Sequence, residues 1–252
     1  MTLKGQSAIV TGGARGIGRA CAVALAEEGV NVLVADLNAE GAAAIARQVD
    51  DLGGRGVSFA ADVTNEAQVQ AMVERAVSEF GGLDILVNTA AWLDPPIPVV
   101  DMPFDEVWRR ALTTDLDSVF LCCKHALKVM IPAKKGRIVS LSSGAGKRGR
   151  ALRASYGAAK AAIINLTESI ALEAAPHGIT VNCICPGAVI GNRAENIFMD
   201  LAERGGKTRE EGLQEYEKLK ERFVSEEEVA DLAMYLISER GARISGQAIS
   251  IA

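Results

Sequence analysis

Seven short runs rich in β-branched residues recur along the chain, separated by longer alanine-rich segments that carry charges at helical spacing. Runs that are apolar on both faces fit a parallel sheet buried between two layers of helices. The alternation predicts βαβ units, and therefore a doubly wound parallel α/β sheet of about seven strands with helices on both faces. The predicted strands are SAIVT (7–11), NVLVAD (31–36), GVSFA (56–60), DILVN (84–88), RIVSLSS (137–143), ITVNCI (179–184) and QAISI (247–251).

The length of the chain favours one domain. At 252 residues it is longer than an average domain, but α/β folds of this size often form a single unit with one large core. We therefore expect one domain over residues 1–252. The long departure from the alternation is the charged segment 188–224, which has no strand pattern and predicts two amphipathic helices around Gly205 and Gly206.

Charge and cysteine usage exclude several classes of function. The chain carries 27 basic and 32 acidic residues, a net charge of −5, and the basic residues are scattered rather than clustered as a nucleic-acid footprint. The five cysteines form no CxxC or zinc-site spacing, so we expect reduced, mostly buried thiols and no metal. The sequence MTLKGQSAIV lacks a signal-peptide core, and no apolar run spans a bilayer. These features predict a cytoplasmic protein with neither nucleic acid nor membrane as partner.

A glycine-rich turn, TGGARGIGRA, directly follows the first predicted strand. Side chains at Gly12, Gly16 and Gly18 would keep a pyrophosphate away from the backbone amides, and the N-terminus of the next helix favours its negative charge. Such a turn alone is a weak signal, because glycines also serve ordinary tight turns. Its place between a strand and a helix predicts a dinucleotide site.

Asp36 ends the second predicted strand, eighteen residues after Gly18. A carboxylate there can accept both ribose hydroxyls of an adenosine and would repel a 2′-phosphate. The alternative is that Asp36 caps the following helix. Arg15 argues weakly for a phosphate contact, so NADP stays open, but Asp36 favours NAD.

These motifs, taken in order, resemble the short-chain dehydrogenase/reductase family over essentially the whole chain. The matches are TGGARGIG (11–18), Asp36, DV (62–63), NTAA (88–91), SS (142–143), YGAAK (156–160) and PG (186–187). The resemblance implies a Rossmann fold and an NAD-dependent oxidoreductase that transfers a hydride between nicotinamide and a secondary alcohol or ketone. The cofactor-binding residues that it implies are Gly12, Arg15, Gly16, Ile17, Gly18, Asp36, Asp62, Val63, Asn88, Ala90, Tyr156, Lys160, Pro186, Gly187 and Val189.

Tyr156 and Lys160 lie one helical turn apart, so they share a helix face. A free phenol holds its proton too tightly for a base at neutral pH, so the phenolate needs a nearby positive charge. Lys160 and the oxidised nicotinamide would supply it, which makes Tyr156 the acid/base. By resemblance, Lys160 also binds the nicotinamide ribose and Ser143 donates to the substrate oxygen. The alternatives are a surface tyrosine–lysine pair and a plain strand-end hydroxyl.

Several positions depart from the family pattern, including Ser118 where a glycine is frequent, and three of them bear on the site. Asp115 stands where the family usually has an asparagine thought to hold a water beside the lysine. A carboxylate there could still bind that water and would also interact with Lys160; alternatively it is a buried helix carboxylate paired with a cation. Ala91 replaces a glycine and Gly191 a threonine. The changes keep open a second hypothesis, a sensor or binding protein that holds NAD but turns over poorly. An NADP-dependent carbonyl reductase is the third.

The substrate leaves fewer signals. The predicted substrate residues are Trp92, Ala145, Arg153 and Asn192. Arg153 belongs to the basic segment GKRGRALRAS and could read an anionic group, although a solvated loop or a subunit contact would also explain the charges. Trp92 could line a pocket or simply pack.

Two further expectations concern the lid and assembly. By resemblance, segment 188–224 is a lid over the substrate, with a surface helical pair as the alternative. Helices near 105–130 and 155–175 are expected to pack against their copies in a homotetramer, since small residues such as those of AAKAAIINL permit close approach.

Overall fold

The chain folds into one seven-stranded sheet with the strand order β3-β2-β1-β4-β5-β6-β7, and every neighbouring pair is parallel. The computed structural model describes residues 3–252, with the side chains of residues 192 and 193 outside the description. The strands are β1 Ser7–Thr11, β2 Asn31–Asp36, β3 Gly56–Ala60, β4 Ile85–Asn88, β5 Gly136–Leu141, β6 Ile179–Pro186 and β7 Ala248–Ile251. This is the predicted doubly wound Rossmann architecture, with shifts at some strand ends. In particular, β5 ends before Ser142 and β6 continues to Pro186.

Helices connect the strands. They are α1 Gly16–Glu27, α2 Ala39–Asp51, α3 Glu66–Phe80, α4 Arg110–Leu112, α5 Ser118–Ala133, α6 Gly144–Lys147, α7 Ala154–Ala174, α8 Asn192–Arg204, α9 Arg209–Leu219 and α10 Glu226–Ile237. Two π-helical turns, Phe104–Arg109 and Thr113–Asp117, flank α4 and continue into α5. A π turn adds one residue to the helical repeat and is often found at functional sites. Asp115 lies in the second of these turns.

The two faces of the sheet bury two apolar layers. Alternation along β1 sends Val10 to one layer and Ile9 to the other. Leu25 of α1 and Leu236 of α10 cover the first layer, and Met72 of α3 and Ile163 of α7 cover the second. Burying such a side chain stabilises the fold by about 1.5–3 kcal/mol relative to leaving it exposed. The strands are therefore held between the two layers, and their carboxyl ends place the following loops along one edge of the sheet.

β1 lies between β2 and β4, and the order of the strands reverses there. In open α/β sheets, ligands bind outside the carboxyl ends of the strands at this switch point. The glycine-rich turn after β1 and the NTAA segment after β4 meet here, since Thr89 N donates to Thr11 Oγ1 (3.3 Å) and Thr89 Oγ1 donates to Thr11 O (2.5 Å).

Segment 188–224 leaves the sheet and returns to it. It contains α8 and α9, the two helices expected around Gly205 and Gly206. An isolated parallel bridge between Val189 and Val224 closes its base. Within residues 3–252, no helix is both long enough and apolar enough to cross a membrane.

Candidate active site

The glycine-rich turn packs too closely for side chains. A Cβ at Gly18 would lie 2.2 Å from Gly12 O, and one at Gly12 would lie 2.8 Å from Ala90 Cα. Gly12 and Gly16 also have positive φ values of 64° and 62°, which only glycine adopts without strain. The first turn of α1 holds no acidic residue. The turn therefore leaves backbone amides and a positive helix end for an anion, as a pyrophosphate cradle requires.

Asp36 holds this turn at the end of β2. Its Oδ2 accepts from Ala14 N (3.1 Å) and its Oδ1 accepts from Asn38 N (2.9 Å). The capping alternative for Asp36 is wrong, because Asn38 is the N-cap of α2 and accepts from Gly41 N at 3.0 Å. Asp36 thus stands half-buried beside the glycine turn, where its carboxylate can meet a ribose.

Five other predicted cofactor residues lie at three places: after β3, at the end of β4 and at the start of α1. Asp62 is half-buried after β3, where its Oδ1 accepts from Thr64 N and Oγ1, and Val63 is buried in the core beside it. Asn88 turns inward instead, since its amide donates to Ser140 Oγ at 3.0 Å and so ties β4 to β5. Any cofactor contact of Asn88 stays a prediction. Arg15 is exposed as the N-cap of α1, next to the half-buried Ile17.

Glu226 is a neighbour of the glycine turn that the sequence did not single out. Its Oε1 lies 3.5 Å from where a Cβ would stand at Gly16 and 3.4 Å from the same position at Gly191. Its Oε2 pairs with Arg19 Nη2 at 3.5 Å. Local sequence carries no signal for this approach, because α10 reaches α1 only through tertiary packing. A carboxylate and an arginine therefore flank the N-terminus of α1.

The serine pair follows β5. Ser142 is buried and its Oγ donates to Lys160 O at 2.7 Å, whereas Ser143 is half-buried and caps α6 by accepting from Ala145 N at 3.1 Å. The Ser143 oxygen is thus oriented by a backbone amide while its hydroxyl hydrogen can still be donated. α6 packs against α7, since a Cβ at Gly146 would lie 2.7 Å from Lys160 O. Ala145 is buried in this contact.

Tyr156 and Lys160 share one face of α7, as predicted. Lys160 Nζ lies 5.6 Å from the centroid of the Tyr156 ring. The ammonium is buried; it donates to Leu141 O at 3.0 Å and lies 3.6 Å from Asp115 Oδ2. Asp115 is also buried, and its Oδ1 accepts from Trp92 N at 2.7 Å. The carboxylate therefore bridges the lysine and the loop after β4.

Arg153 also approaches the tyrosine. Its Cζ lies over the Tyr156 ring at 4.7 Å from the centroid. The guanidinium is nearly buried and pairs with Asp94, a residue that no sequence motif indicated. Of the neighbouring basic residues, Lys147 donates to Ala248 O and Ser250 Oγ of β7, while Arg148 and Arg150 are exposed. The basic segment is thus not a single cluster.

The segment after β6 leads from the sheet to the helices that follow. Gly187 N donates to Ile251 O at 2.8 Å, and a Cβ at Gly144 would lie 3.4 Å from Pro186 O, so this segment adjoins the Ser143 turn. Gly191 N donates to the hydroxyl of Tyr216, which is buried between Phe198 and Phe223 with ring centroids 5.8–5.9 Å away. This aromatic cluster anchors α8 and α9 to the base of the segment.

Trp92 is half-buried, with Arg110 Cζ stacked 4.4 Å from a centroid of its rings. The predicted substrate contact of Asn192 falls on a side chain outside the described part of the structure. An open groove with a volume of about 320 Å³ lies between the loop after β4 and α8, lined by Pro95, Pro96, Asp200, Glu203 and Arg204.

All five cysteines are buried and free. Burial raises the pKa of Cys21 and Cys123 to about 12. Cys185, near the end of β6, differs because a hydrogen bond from Cys183 lowers its pKa against the effect of burial, with Ser142 and Lys147 adding to the decrease. The sequence pattern alone gave no sign of this difference.

Comparison with known proteins places this geometry in context. Residues 6–201 match the family described as short chain dehydrogenase. A cis-4-hydroxycyclohexanecarboxylate dehydrogenase from Sinomonas cyclohexanicum is 38% identical, over 97% of this chain and 94% of its own. A sorbitol dehydrogenase from Cereibacter sphaeroides is 37% identical, over 84% of this chain and 83% of its own.

Among solved structures, an NAD+-bound xylitol dehydrogenase superimposes with a TM-score of 0.94 at 31% identity, covering 100% of this chain and 99% of the other. The extent of these matches shows that the chain belongs to the short-chain dehydrogenase family of oxidoreductases.

Proposed function

We propose that this protein is an NAD-dependent dehydrogenase that interconverts a secondary alcohol and a ketone, with Tyr156 as the acid/base. The observation that carries the proposal is the buried Lys160 ammonium, which lies 5.6 Å from the Tyr156 ring centroid at the carboxyl end of β5. A buried cation beside a phenol favours the phenolate, which is the form that accepts a proton.

The residues present fit a nicotinamide dinucleotide. Gly12, Gly16 and Gly18 would leave room for the pyrophosphate, and Asp36 would accept the adenosine ribose hydroxyls. The segment Pro186–Val189 would lie along the nicotinamide end, by analogy with the family. When bound, the nicotinamide supplies the acceptor for the hydride of the alcohol.

Proton transfer falls to the chain's own side chains. Ser143, whose oxygen is oriented by Ala145 N, would donate to the substrate oxygen. Tyr156 would remove the hydroxyl proton during oxidation and return it during reduction. Lys160 would stabilise the phenolate and hydrogen-bond the ribose. Asp115 would orient Lys160 by its ion pair and the loop after β4 by its bond from Trp92 N.

The substrate that we propose is a small secondary alcohol of the polyol or hydroxycycloalkane type. The names of two relatives support this class, since one is a sorbitol dehydrogenase and the other a cis-4-hydroxycyclohexanecarboxylate dehydrogenase. Segment 188–224 would act as the lid, because the Val189–Val224 bridge and the Gly191–Tyr216 bond hold it at the carboxyl edge of β6. Closure would exclude water from the reaction.

A turnover screen combined with a binding titration tests the proposal. NAD-linked oxidation of xylitol, sorbitol, cis-4-hydroxycyclohexanecarboxylate and neutral cyclic alcohols would be followed by NADH formation, alongside quenching or enhancement of NADH fluorescence on binding. We expect turnover with at least one probe. Tight NADH binding without turnover across the panel would favour the alternative of a sensor, for which Asp115, Ala91 and Gly191 are the motivating residues. Activity confined to NADPH and ketones would favour the carbonyl reductase.

We also propose a homotetramer in the cytoplasm. The exposed Phe120 on α5 and Leu172 on α7 support an apolar contact between copies of these helices. Light scattering at micromolar concentration should then give four times the mass of one chain, and a monomer would reject the assembly.

A further inference from the structure

Asp94 is a buried carboxylate in the loop after β4, 1% exposed, and one ion pair and two hydrogen bonds join it to the start of α7. Arg153 Nη2 pairs with its Oδ1 at 2.9 Å, Arg153 Nη1 donates to its backbone oxygen at 2.7 Å, and Ser155 Oγ donates to its Oδ2 at 2.7 Å. A buried ion pair contributes little net stability, because desolvation offsets the attraction. Such a pair does fix the relative positions of its two side chains, since it is costly to leave either charge buried without a partner.

The two partners of Asp94 lie within the three residues that precede Tyr156 in the chain. Arg153 is the N-cap position of α7, and Ser155 directly precedes the tyrosine. A second tie joins the same two segments, since Ile97 N donates to Leu152 O at 3.1 Å. Leu152 has a φ of +65°, a strained conformation for a leucine that persists only where its surroundings impose it. The loop after β4 therefore fixes the first turn of α7.

Arg153 also contacts the tyrosine directly. Its guanidinium lies over the ring at 4.7 Å from the centroid, and the Lys160 ammonium lies over the ring at 5.6 Å. The face of an aromatic ring attracts a cation, so the Arg153 guanidinium keeps the Tyr156 ring from rotating away. Asp94 in turn prevents the guanidinium from leaving the ring.

We infer that Asp94 and Arg153 form a positioning pair that holds the Tyr156 ring in its reactive orientation, acting through the tyrosine rather than on the substrate. The inference rests on the proposed role of Tyr156. It assigns a task to Asp94, which has no place among the cofactor or substrate residues, and it gives Arg153 a task other than reading an anionic substrate. Catalysis depends on a near-attack geometry, so a loosened ring should slow the chemical step while leaving binding intact.

The test replaces the pair by neutral side chains in the double variant Asp94→Asn/Arg153→Gln, which leaves no buried charge unpaired. Incorporation of 3-fluorotyrosine gives one fluorine resonance for each of Tyr156, Tyr216 and Tyr235, and Tyr156→Phe identifies the first. We expect the Tyr156 resonance to move or broaden in the double variant while the other two stay unchanged. An unchanged Tyr156 resonance in the folded double variant would overturn the inference, and this readout needs no turnover.

The kinetic readout is whether the substitutions change kcat or KM. Xylitol serves as the neutral probe and cis-4-hydroxycyclohexanecarboxylate as the anionic probe. The double variant should lose about tenfold or more in kcat on whichever probes are used, with KM and NADH affinity nearly unchanged. The single variant Arg153→Lys keeps the positive charge, so its kcat should lie between that of the double variant and that of the wild-type protein. A rise in KM confined to the anionic probe, with kcat intact, would instead make Arg153 a substrate contact and reject the positioning role.

Arg150→Gln is the matched control, because it removes the same charge from an exposed position in the same segment. It should leave the Tyr156 resonance and kcat on xylitol unchanged.

If wild-type protein turns over none of the probes, the proposed function fails while the fluorine resonances still decide the inference. If the double variant does not fold, the single variant Ser155→Ala, which removes one bond to Asp94, should produce a smaller change of the same kind; no change in the Tyr156 resonance there counts against the inference.

Discussion

The ion pair between Asp115 and Lys160 allows its coupling to be predicted from the structure. The charged atoms are 3.6 Å apart, and both side chains are at most 3% exposed. At an effective dielectric constant of about 20, two unit charges at this distance attract by about 5 kcal/mol. Removing one partner of such a pair costs about 3–5 kcal/mol, since the other charge is left buried. Asp115→Asn should therefore lower the free energy of unfolding by that amount, with Lys160→Met lowering it comparably.

A double-mutant cycle measures the pair by urea unfolding at neutral pH and fixed protein concentration. The double variant Asp115→Asn/Lys160→Met should lose less than the sum of the two single losses, by at least about 2 kcal/mol. Asp117→Asn, an exposed carboxylate in the same π turn, is the matched control and should change stability by less than about 0.5 kcal/mol. Additive losses from Asp115 and Lys160 would refute the reasoning, because they would mean that the two charges do not stabilise each other.

Three further predictions concern the cofactor site and acid stability. Asp36→Ala should reduce the preference for NAD over NADP in kcat/KM by about tenfold or more, and equal use of both cofactors by wild-type protein would reject Asp36 as the selector. Gly18→Ala, whose Cβ would lie 2.2 Å from Gly12 O, should cost about 1–3 kcal/mol of stability and weaken NADH binding, whereas an unchanged Tm would mean that the turn can yield. Burial raises the pKa of the Asp84 carboxyl, but hydrogen bonds from Lys135 and Ser7 outweigh burial and hold this pKa below its usual value. The stability that the carboxyl contributes is therefore fully present above the unfolded-state pKa of about 3.9, and it is lost as the pH falls through the lower pKa of the folded state. Asp84→Asn should destabilise by about 1–2 kcal/mol at neutral pH and flatten the acid side of the stability curve, and an unchanged urea midpoint at neutral pH would contradict this.

The strands were predictable because their pattern is local. Each buried strand is a short β-branched run, and β1, β2 and β3 begin and end where the sequence indicated. The glycine turn and the Tyr156–Lys160 pair were also predictable, since a few adjacent residues carry the requirement for close approach or a shared helix face. The π turns between Phe104 and Asp117 were not, because the extra residue in each turn depends on packing rather than on a local motif.

Long-range contacts account for what the sequence missed. Arg153 and Asp94 are 59 residues apart, and nothing near either residue indicates the other. From the sequence, Arg153 could read an anionic substrate, belong to a solvated loop or make a subunit contact, whereas in the structure its guanidinium pairs with Asp94 inside the chain. Glu226 escaped notice for the same reason, since it meets Gly16 only when α10 packs on α1. Asn38 could be identified as the helix cap in place of Asp36 only once the first residue of α2 was known.

The central claim is that Tyr156 transfers the proton in an NAD-linked oxidation of a secondary alcohol. The most direct measurement compares wild-type protein with Tyr156→Phe in alcohol-dependent NADH formation, with NADH binding followed by fluorescence in the same preparations. Loss of the Tyr156 hydroxyl should lower kcat by about a thousandfold or more, while the dissociation constant for NADH changes little. Turnover by Tyr156→Phe at a rate close to that of wild-type protein, with NADH bound equally well, would contradict the account.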